Sequence, residues 1–559
     1  MSKNFLKATI PLLLLFATSC DDEEALLLEN STRDRSTIEA TQEVVEGEIR
    51  LGEKINSPLL LKNMQRAADS LSKRKGTSLR SAVVLEPTHY YVRFLPKDSA
   101  EYETLVADTL LDLTPYPLDY ELSCGDSYHD PSLPYDSYQW QYTTVRTNYD
   151  LEKHGIKHEV LDEIYMPNED IFGEQESSVR SAQIAETDAI SWDELLEEAI
   201  RQTTPANQTS LKAKWTPGAT IKAYDDVLGT YIPLQGVKVR ICVFAFAKED
   251  RITDANGQVR FDSRRRSASY SIEWEDKNWD IRDGGTQAYY NGPRQESWWN
   301  LNIGSGAQKS LHYSAIHRAL YKYYYGNVDG LVRPSKALKV SYQTGSDPDG
   351  DALGSTRSAI VRTWSWIFSA IKIYEKNSSG GIEKTNRVFS TMIHELAHAS
   401  HACRLSKDDY DNTSKFVKES WASAVGWYLT LQEYERLGAS NYDDLRSWSN
   451  IYSLQMWPYL SSSLIYSPLY IDMYDDNNQG VDDDTRPYDK VSGYSMALID
   501  RNLISMKGFT TVESFMKNNR PSNVTENQIN EFLNKYKKNG QKSKKFNFSH
   551  HGSDYFCFL

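Results

Sequence analysis

The residues that are best placed to do chemistry lie together in the segment HELAH, residues 394–398. His394 and His398 are four residues apart, and this spacing puts both imidazoles on one face of a helix, within reach of a single metal ion. Glu395 is turned from His394 by about 100° around the helix, so its carboxylate can hold a water molecule that the metal activates. The pattern predicts a metal site with its own general base.

The surrounding sequence favours a helix with one buried face. In the segment TNRVFSTMIHELAHASH, apolar residues recur at helical spacing, and we expect the following to be buried: Val388, Phe389, Met392, Ile393, Leu396 and Ala397. The other face carries Thr391, His394, His398 and His401. A pair of core histidines that are satisfied by hydrogen bonds is the alternative interpretation of this pattern.

A third histidine, His401, shares the face of the first two. Seven residues of helix separate it from His394 by roughly 10 Å along the axis, which is too far for one ion unless the helix breaks. The metzincin pattern breaks the helix with a glycine, whereas this sequence has Ala402 and Arg404 instead. We expect His401 to support a ligand from behind or to line the cleft, and an exposed surface histidine is an equal alternative.

The third metal ligand is expected on a second helix, predicted for residues 414–438 with Ser414 as its N-cap and Gly438 at its end. One face of this helix carries Glu419 together with three small residues: Ala422, Ser423 and Gly426. Small side chains allow two helices to approach closely, which would bring the Glu419 carboxylate to the metal.

Two alternatives to this ligand remain open. Glu419 can be an ordinary exposed glutamate on a helix surface. Three acidic residues lie nearer to the histidines in sequence: Asp408, Asp409 and Asp411. We expect these three in a loop, where capping and solvation explain them.

The spacing of HExxH, twenty intervening residues and then ESWASAV resembles the gluzincin metallopeptidases, the group that includes thermolysin and the aminopeptidase N-like enzymes. The resemblance implies a zinc ion bound by His394, His398 and Glu419, with Glu395 as general base and proton shuttle. It does not imply an aminopeptidase, because no segment similar to GxMEN is found. The thermolysin-like pattern also has an aspartate four residues after the third ligand, where this chain has Ser423.

Hydrolysis of an amide also needs a hydrogen-bond donor for the oxyanion. The segment PYDKVSGYSMALIDRNL leaves a glycine-bearing turn and enters a helix, which makes Tyr494 our candidate and Tyr488 its reserve. A structural role is the alternative for either tyrosine. Upstream of the metal helix, residues 364–375 are expected to supply the sheet edge that lines a protease cleft.

Export is predicted by residues 1–20, which combine a basic start, a short apolar run and small residues before Cys20. The ending ATSC resembles the lipobox of bacterial lipoproteins, in which the cysteine is lipidated. The acidic residues 21–24 resemble the surface-export signal of Bacteroidetes lipoproteins. We therefore expect an outer-membrane lipoprotein that is exposed on the cell surface, with the lipid as its only membrane anchor. A secreted protein that is cleaved elsewhere is the alternative.

Composition and charge exclude one class of partner. The net charge of -14 argues against nucleic acid, because its binding depends on clustered lysine and arginine. The apolar share of 40% against 25% charged residues indicates a globular chain. At 559 residues the chain is too long for one ordinary domain.

The pattern along the chain predicts a multidomain α+β protein. Strand signals between turns predict an antiparallel β-sandwich that resembles the transthyretin-like, carboxypeptidase-regulatory modules. The predicted divisions are a signal peptide at 1–20, a tether at 21–80, an N-terminal α+β module at 81–175, a linker at 176–215, the sandwich at 216–285, and a mainly helical zincin-like domain with an edge sheet at 300–540.

These features together lead us to expect a lipid-anchored zinc endopeptidase that acts on proteins or glycoproteins outside the cell. The alternative is a surface binding protein or adhesin built on the same scaffold, which would use some of the 13 tryptophans and 36 tyrosines to hold glycans or a host protein. Retention of Glu395 beside all three ligands favours the enzyme, because a binding protein has no need of a general base.

Overall fold

The computed structural model of this protein describes residues 41–44, 46–75, 84–167, 190–204, 214–264, 266–346, 354–355, 371–377, 379–439, 467–476 and 490–542. These residues form a mixed α+β structure with several sheets, as expected. All of them belong to one compact unit, Ala40–Leu559. Within the described ranges, no helix is both long enough and apolar enough to cross a membrane.

A small α+β module begins the described chain. A short strand, β1 (Gln42–Glu43), precedes it. The elements of the module are β2 (Leu51–Lys54), α1 (Leu61–Arg74), β3 (His89–Leu95), α2 (Ser99–Val106), β4 (Tyr120–Leu122), β5 (Gln141–Arg146), β6 (Lys157–Ile164) and α3 (Trp192–Thr203). The main sheet is antiparallel, in the order β5-β3-β6. Helix α3 lies within residues 176–215, which we predicted as a linker, yet it packs on α1 with Leu195 and Ala199 buried.

The next eleven strands are β7 (Gly218–Asp225), β8 (Thr230–Pro233), β9 (Lys238–Val243), β10 (Ala247–Ile252), β11 (Gln258–Arg260), β12 (Ala268–Glu273), β13 (Glu275–Asp276), β14 (Trp279–Asp283), β15 (Thr286–Gln287), β16 (Tyr289–Gln295) and β17 (Trp299–Ile303). Eight of them build two sheets, β1-β17-β7-β11 with β8 beside β7, and β10-β9-β12-β16. The second sheet is antiparallel as predicted. The first is mixed, because β17 runs parallel to both β7 and β1, whereas β8 and β11 run antiparallel to β7.

A third sheet, in addition to the two sandwich sheets, packs against the helix that carries His394 and His398. It adds β18 (Leu338–Ser346), β19 (Gly354–Ser355) and β20 (Ile371–Lys376), in the order β13-β14-β18-β20-β19 with β15 beside β14. Strand β14 lies within residues 216–285, which we predicted as the sandwich, but it pairs with β18 of the third sheet. Strands β16 and β17 lie beyond residue 285 and pair with strands of the two sandwich sheets. Strand pairing therefore crosses the domain boundary that we predicted at residue 285.

The edge strand of the third sheet differs from our expectation. The described end of residues 364–375 forms β20, which pairs with β18 on one side and with β19 on the other. This part of the segment is therefore internal, because β19 covers the side that we expected to be open. Residues 364–370 lie outside the described ranges.

Helices dominate the remainder of the chain. They are α4 (Gln308–Tyr325), α5 (Thr385–Cys403), α6 (Lys407–Asp411), α7 (Lys415–Arg436), α8 (Leu469–Tyr474), α9 (Met496–Leu503), α10 (Phe509–Asn518) and α11 (Glu526–Lys542). Helix α5 packs against both α4 and α7, and α8 packs against α7. The six apolar residues that we expected to be buried on α5 are all fully buried, which confirms the predicted face.

Candidate metal centre

Helix α5 carries His394 and His398, and its start is tied to the sandwich. The carboxylate of Asp226, which directly follows β7, accepts a hydrogen bond from the backbone N–H of Thr385 at 2.8 Å. The hydroxyl of Thr385 accepts one from the backbone N–H of Asp226 at 3.0 Å. A carboxylate at the start of a helix satisfies a free N–H and stabilises the helix dipole. The helix that bears the two histidines is therefore fixed at its first residue.

Helix α7 carries Glu419 and has the ends that its sequence predicts. Ser414 accepts a hydrogen bond from the backbone N–H of Val417, and Gly438 has a positive φ of 81° just after the helix. The small face of α7 lies against α5, as expected. A Cβ atom at Gly426 would be 3.3 Å from the carbonyl oxygen of Ser390 and 3.5 Å from Cβ of His394. This close approach brings the glutamate to the histidines.

The three predicted ligands converge on one point. The Nε2 atom of His398 lies 3.1 Å from Nε2 of His394 and 3.0 Å from Oε2 of Glu419. The third distance, between Nε2 of His394 and Oε2 of Glu419, is 3.4 Å. Among the described residues, these three form the group whose ligand atoms can hold a metal ion.

This spacing fits a tetrahedral zinc ion. Ligands at the usual Zn–N and Zn–O distances of about 2.0–2.2 Å lie roughly 3.3–3.6 Å apart in a tetrahedron, so small shifts of the observed atoms satisfy it. Two imidazoles and one glutamate are also a donor set of catalytic zinc sites. The side chains of His394 and Glu419 keep 15% and 19% of their surface exposed, so the group is open to solvent on one side.

Electrostatics favours a charged Glu419. Burial raises the pKa of this carboxyl. The charge of His398 and hydrogen bonds with His394 and His398 lower the pKa by a larger amount. The net result is a pKa well below the usual range for glutamate. An ionised carboxylate is the form that binds a metal.

Glu395 is arranged differently from the three ligands. Its side chain is buried, and Oε2 has no hydrogen-bond partner among the described residues. Burial raises the pKa of Glu395 to about 8, with His394 lowering it and Glu419 raising it. A buried carboxyl with a free oxygen beside a metal-binding group is a candidate for proton transfer.

Tyr410, which the sequence did not single out, contacts the site. It lies on the short helix α6, and its hydroxyl is 3.3 Å from Nδ1 of His398. Lys407–Asp411 is helical, although we expected the acidic residues there to lie in a loop. No local spacing signals this contact, because it depends on how the chain turns back after α5.

His401 is buried rather than exposed, so the alternative of a surface histidine is wrong. Only 1% of its surface is accessible, and its ring meets the ring of Tyr410 edge-on at 5.3 Å. Neither ring nitrogen has a hydrogen-bond partner among the described residues. Because α5 continues unbroken to Cys403, His401 stays a turn away from the ligand group, behind Tyr410.

Tyr494, our candidate oxyanion donor, is engaged elsewhere. It is fully buried, and its hydroxyl donates to the carbonyl oxygen of Met516 at 2.8 Å. This bond commits Tyr494 to the packing of the C-terminal helices, and no described contact joins it to the ligands. Its reserve, Tyr488, and the predicted lipidation site, Cys20, lie outside the described residues.

Comparison with known proteins does not identify a family for this chain. No protein-family model matches the sequence, and no curated protein matches it either.

Proposed function

We propose that this protein is a zinc-dependent hydrolase of peptide bonds. The observation that carries the proposal is the convergence of His394, His398 and Glu419 beside the buried, unpartnered Oε2 of Glu395. A purely structural histidine pair has no use for a second carboxyl held without a partner at the same place. A hydrolase needs both groups, one to hold the metal and one to move a proton.

Each residue has a defined role in this proposal. His394, His398 and Glu419 would hold the ion, and the exposed side of the group admits water and substrate. A bound zinc ion supplies Lewis-acid chemistry, which polarises a carbonyl group and makes water more acidic. Glu395 takes a proton from the attacking water at its carboxylate and later delivers it to the amine that leaves. Oε2 of Glu395 has no partner among the described residues, so it is free to accept that proton.

The proposed cellular location and substrate class are inferred from the sequence alone. We propose a lipoprotein anchored through Cys20 at the outer membrane and exposed on the cell surface. Its substrates would be proteins or glycoproteins outside the cell, cleaved as an endopeptidase cleaves them. The net charge of -14 supports a partner other than nucleic acid.

The test is Glu395→Gln in the chain that lacks residues 1–20. Glutamine keeps the size of the side chain but accepts no proton, so we expect turnover of an unstructured protein substrate to fall by at least about 100-fold. Zinc binding should be unchanged, because Glu395 is not a ligand. Peptide release measured by mass spectrometry, with zinc content measured on the same samples, gives both quantities.

Two results would contradict the proposal. Equal turnover in wild type and Glu395→Gln would remove the general base from the mechanism. A zinc-loaded wild type that cleaves no member of a broad peptide library would favour the binding protein on the same scaffold. Parallel screening on a glycan array distinguishes a binding protein, which would bind a glycan, from a peptidase whose substrate is missing from the library.

A further inference from the structure

One contact in the metal centre has no role in the chemistry described above. The hydroxyl of Tyr410 lies 3.3 Å from Nδ1 of His398, on the side of the imidazole that faces away from the ligand group. Both side chains are buried, with 5% of Tyr410 and 2% of His398 exposed. Water therefore has little access to this nitrogen, and the tyrosine is its described hydrogen-bond partner.

The ring of Tyr410 is fixed from several directions. Helix α6 is capped by Ser406, whose side chain accepts a hydrogen bond from the backbone N–H of Asp409. From α7, the ammonium group of Lys418 donates to the carbonyl oxygen of Tyr410 at 3.2 Å and lies 4.6 Å above its ring centre. From α5, His401 packs edge-on against the same ring. Tyr410 is thus held between the two helices that carry the proposed ligands.

This arrangement constrains the orientation of the His398 ring. When Nε2 faces the ligand group with a free electron pair, the ring proton must sit on Nδ1. Nδ1 then donates to the oxygen of Tyr410, and this bond fixes the rotation of the ring. Hydrogen bonds of this kind orient metal-binding histidines and raise their affinity for the ion.

We propose that Tyr410 is a positioning residue that sets the orientation of the His398 ring for metal binding. The proposal rests on the proposed function only in that the site must bind zinc. Tyr410 acts through His398 and touches neither substrate nor ion. His401 and Lys418 support it by holding the ring in place.

The experiment is Tyr410→Phe in the chain that lacks residues 1–20. Phenylalanine keeps the buried ring and removes only the hydroxyl, so the packing against His401 and Lys418 stays. We expect zinc affinity, measured by competition with a chromogenic chelator, to fall by about 10- to 100-fold. The visible absorption spectrum of the cobalt-substituted protein should also change, because it reports the arrangement of the ligands.

The matched control is Tyr91→Phe. Tyr91 is likewise a buried tyrosine with a hydrogen-bonded hydroxyl, but its partner is Asp119 in the N-terminal module. Its zinc affinity and cobalt spectrum should equal those of the wild type. Loss of affinity in both variants would mean that removal of any buried hydroxyl disturbs the site, and would overturn the inference.

The outcomes separate this inference from the proposed function. A wild type that binds no zinc would refute the proposed function, whereas equal zinc affinity in wild type and Tyr410→Phe would refute the inference alone. Should Tyr410→Phe fail to fold, neutron diffraction from the zinc-loaded wild type decides the question. The inference requires a deuterium on Nδ1 of His398 that points at the tyrosine oxygen, and a deuterium on Nδ1 that points at any other acceptor would contradict it.

Discussion

At the scale of single residues, His401 shows how a histidine can serve a site without binding its ion. Both of its ring nitrogens are buried and lack hydrogen-bond partners among the described residues. Burial and, to a smaller extent, the positive charge of Arg404 lower the pKa of His401 to about 3. The imidazole is therefore neutral and contributes its shape, which packs against Tyr410, more than its polarity.

This interpretation predicts the behaviour of His401→Leu. Removal of a buried polar group without partners costs nothing in hydrogen bonds, so we expect the free energy of unfolding to stay equal or to rise by about 1 kcal/mol. Zinc content should stay at the wild-type level, because His401 is not a ligand. Denaturant unfolding and elemental analysis measure the two quantities. Loss of zinc from His401→Leu, at the level seen for His398→Leu, would instead make His401 part of the metal site.

The sequence was sufficient to predict which three side chains converge, and the reason is local. A spacing of four residues fixes His394 and His398 on one helical face, and the small residues around Glu419 predict close helix packing. Tyr410 and Tyr494 depend on the paths of loops, which no periodicity encodes. A chain with 36 tyrosines offers too many candidates for such a role.

At the scale of elements, the site depends on how closely α7 approaches α5. Gly426 lies at the crossing, where a Cβ atom would be 3.3 Å from the carbonyl oxygen of Ser390. A side chain larger than a methyl group must push the helices apart, since neither backbone can yield locally. The distance between the histidines and Glu419 is therefore coupled to the size of residue 426.

Gly426→Leu tests this coupling. We expect overpacking to lower the free energy of unfolding by about 1–3 kcal/mol and to weaken zinc binding in the same protein. The matched control is Gly426→Ala, in which a tight methyl contact is offset by a gain in helix propensity of about 1 kcal/mol, so its stability should change little. Calorimetry and chelator competition measure both effects. Wild-type zinc affinity in a folded Gly426→Leu would show that the approach of the helices does not set the site.

Helices were easier to predict than sheets. The cap residue Ser414 and the terminal Gly438 defined α7 in advance, because both signals lie at the ends of the helix itself. The partners of β14, β17 and β20 join residues that are distant in sequence, and a strand pattern does not state its partner. The parallel pairs and the internal position of β20 were therefore found only in the structure.

At the scale of the whole molecule, the sandwich and the helical region share one hydrophobic core. A single cluster of buried apolar residues extends from Val44 to Tyr536 and includes strands of both regions. Buried polar contacts add to it. Asp225 of β7, which is fully buried, accepts hydrogen bonds from Arg318 of α4 and Tyr434 of α7 at 2.8 and 2.7 Å. The sandwich is therefore tied to α7, which carries Glu419, and to α4, which packs against α5.

The N-terminal module is joined to the third sheet by buried charge. Glu103 of α2 pairs with Arg282 of β14 and with Lys339 of β18. Only 7% of the Glu103 side chain and 1% of the Arg282 side chain are exposed. Buried charges are costly when unpaired, so this contact specifies how the module docks. Composition could not predict such a pair, because its members are distant in sequence.

The central claim is that His394, His398 and Glu419 bind zinc, and metal content measures it directly. Elemental analysis of the chain lacking residues 1–20 should find about one zinc ion per molecule, as a three-ligand site requires. Glu419→Ala should lose this zinc, while Glu435→Ala, an exposed glutamate on the same helix, should retain it. A folded wild type without zinc after incubation with the ion, or a Glu419→Ala variant that keeps it, would contradict the account.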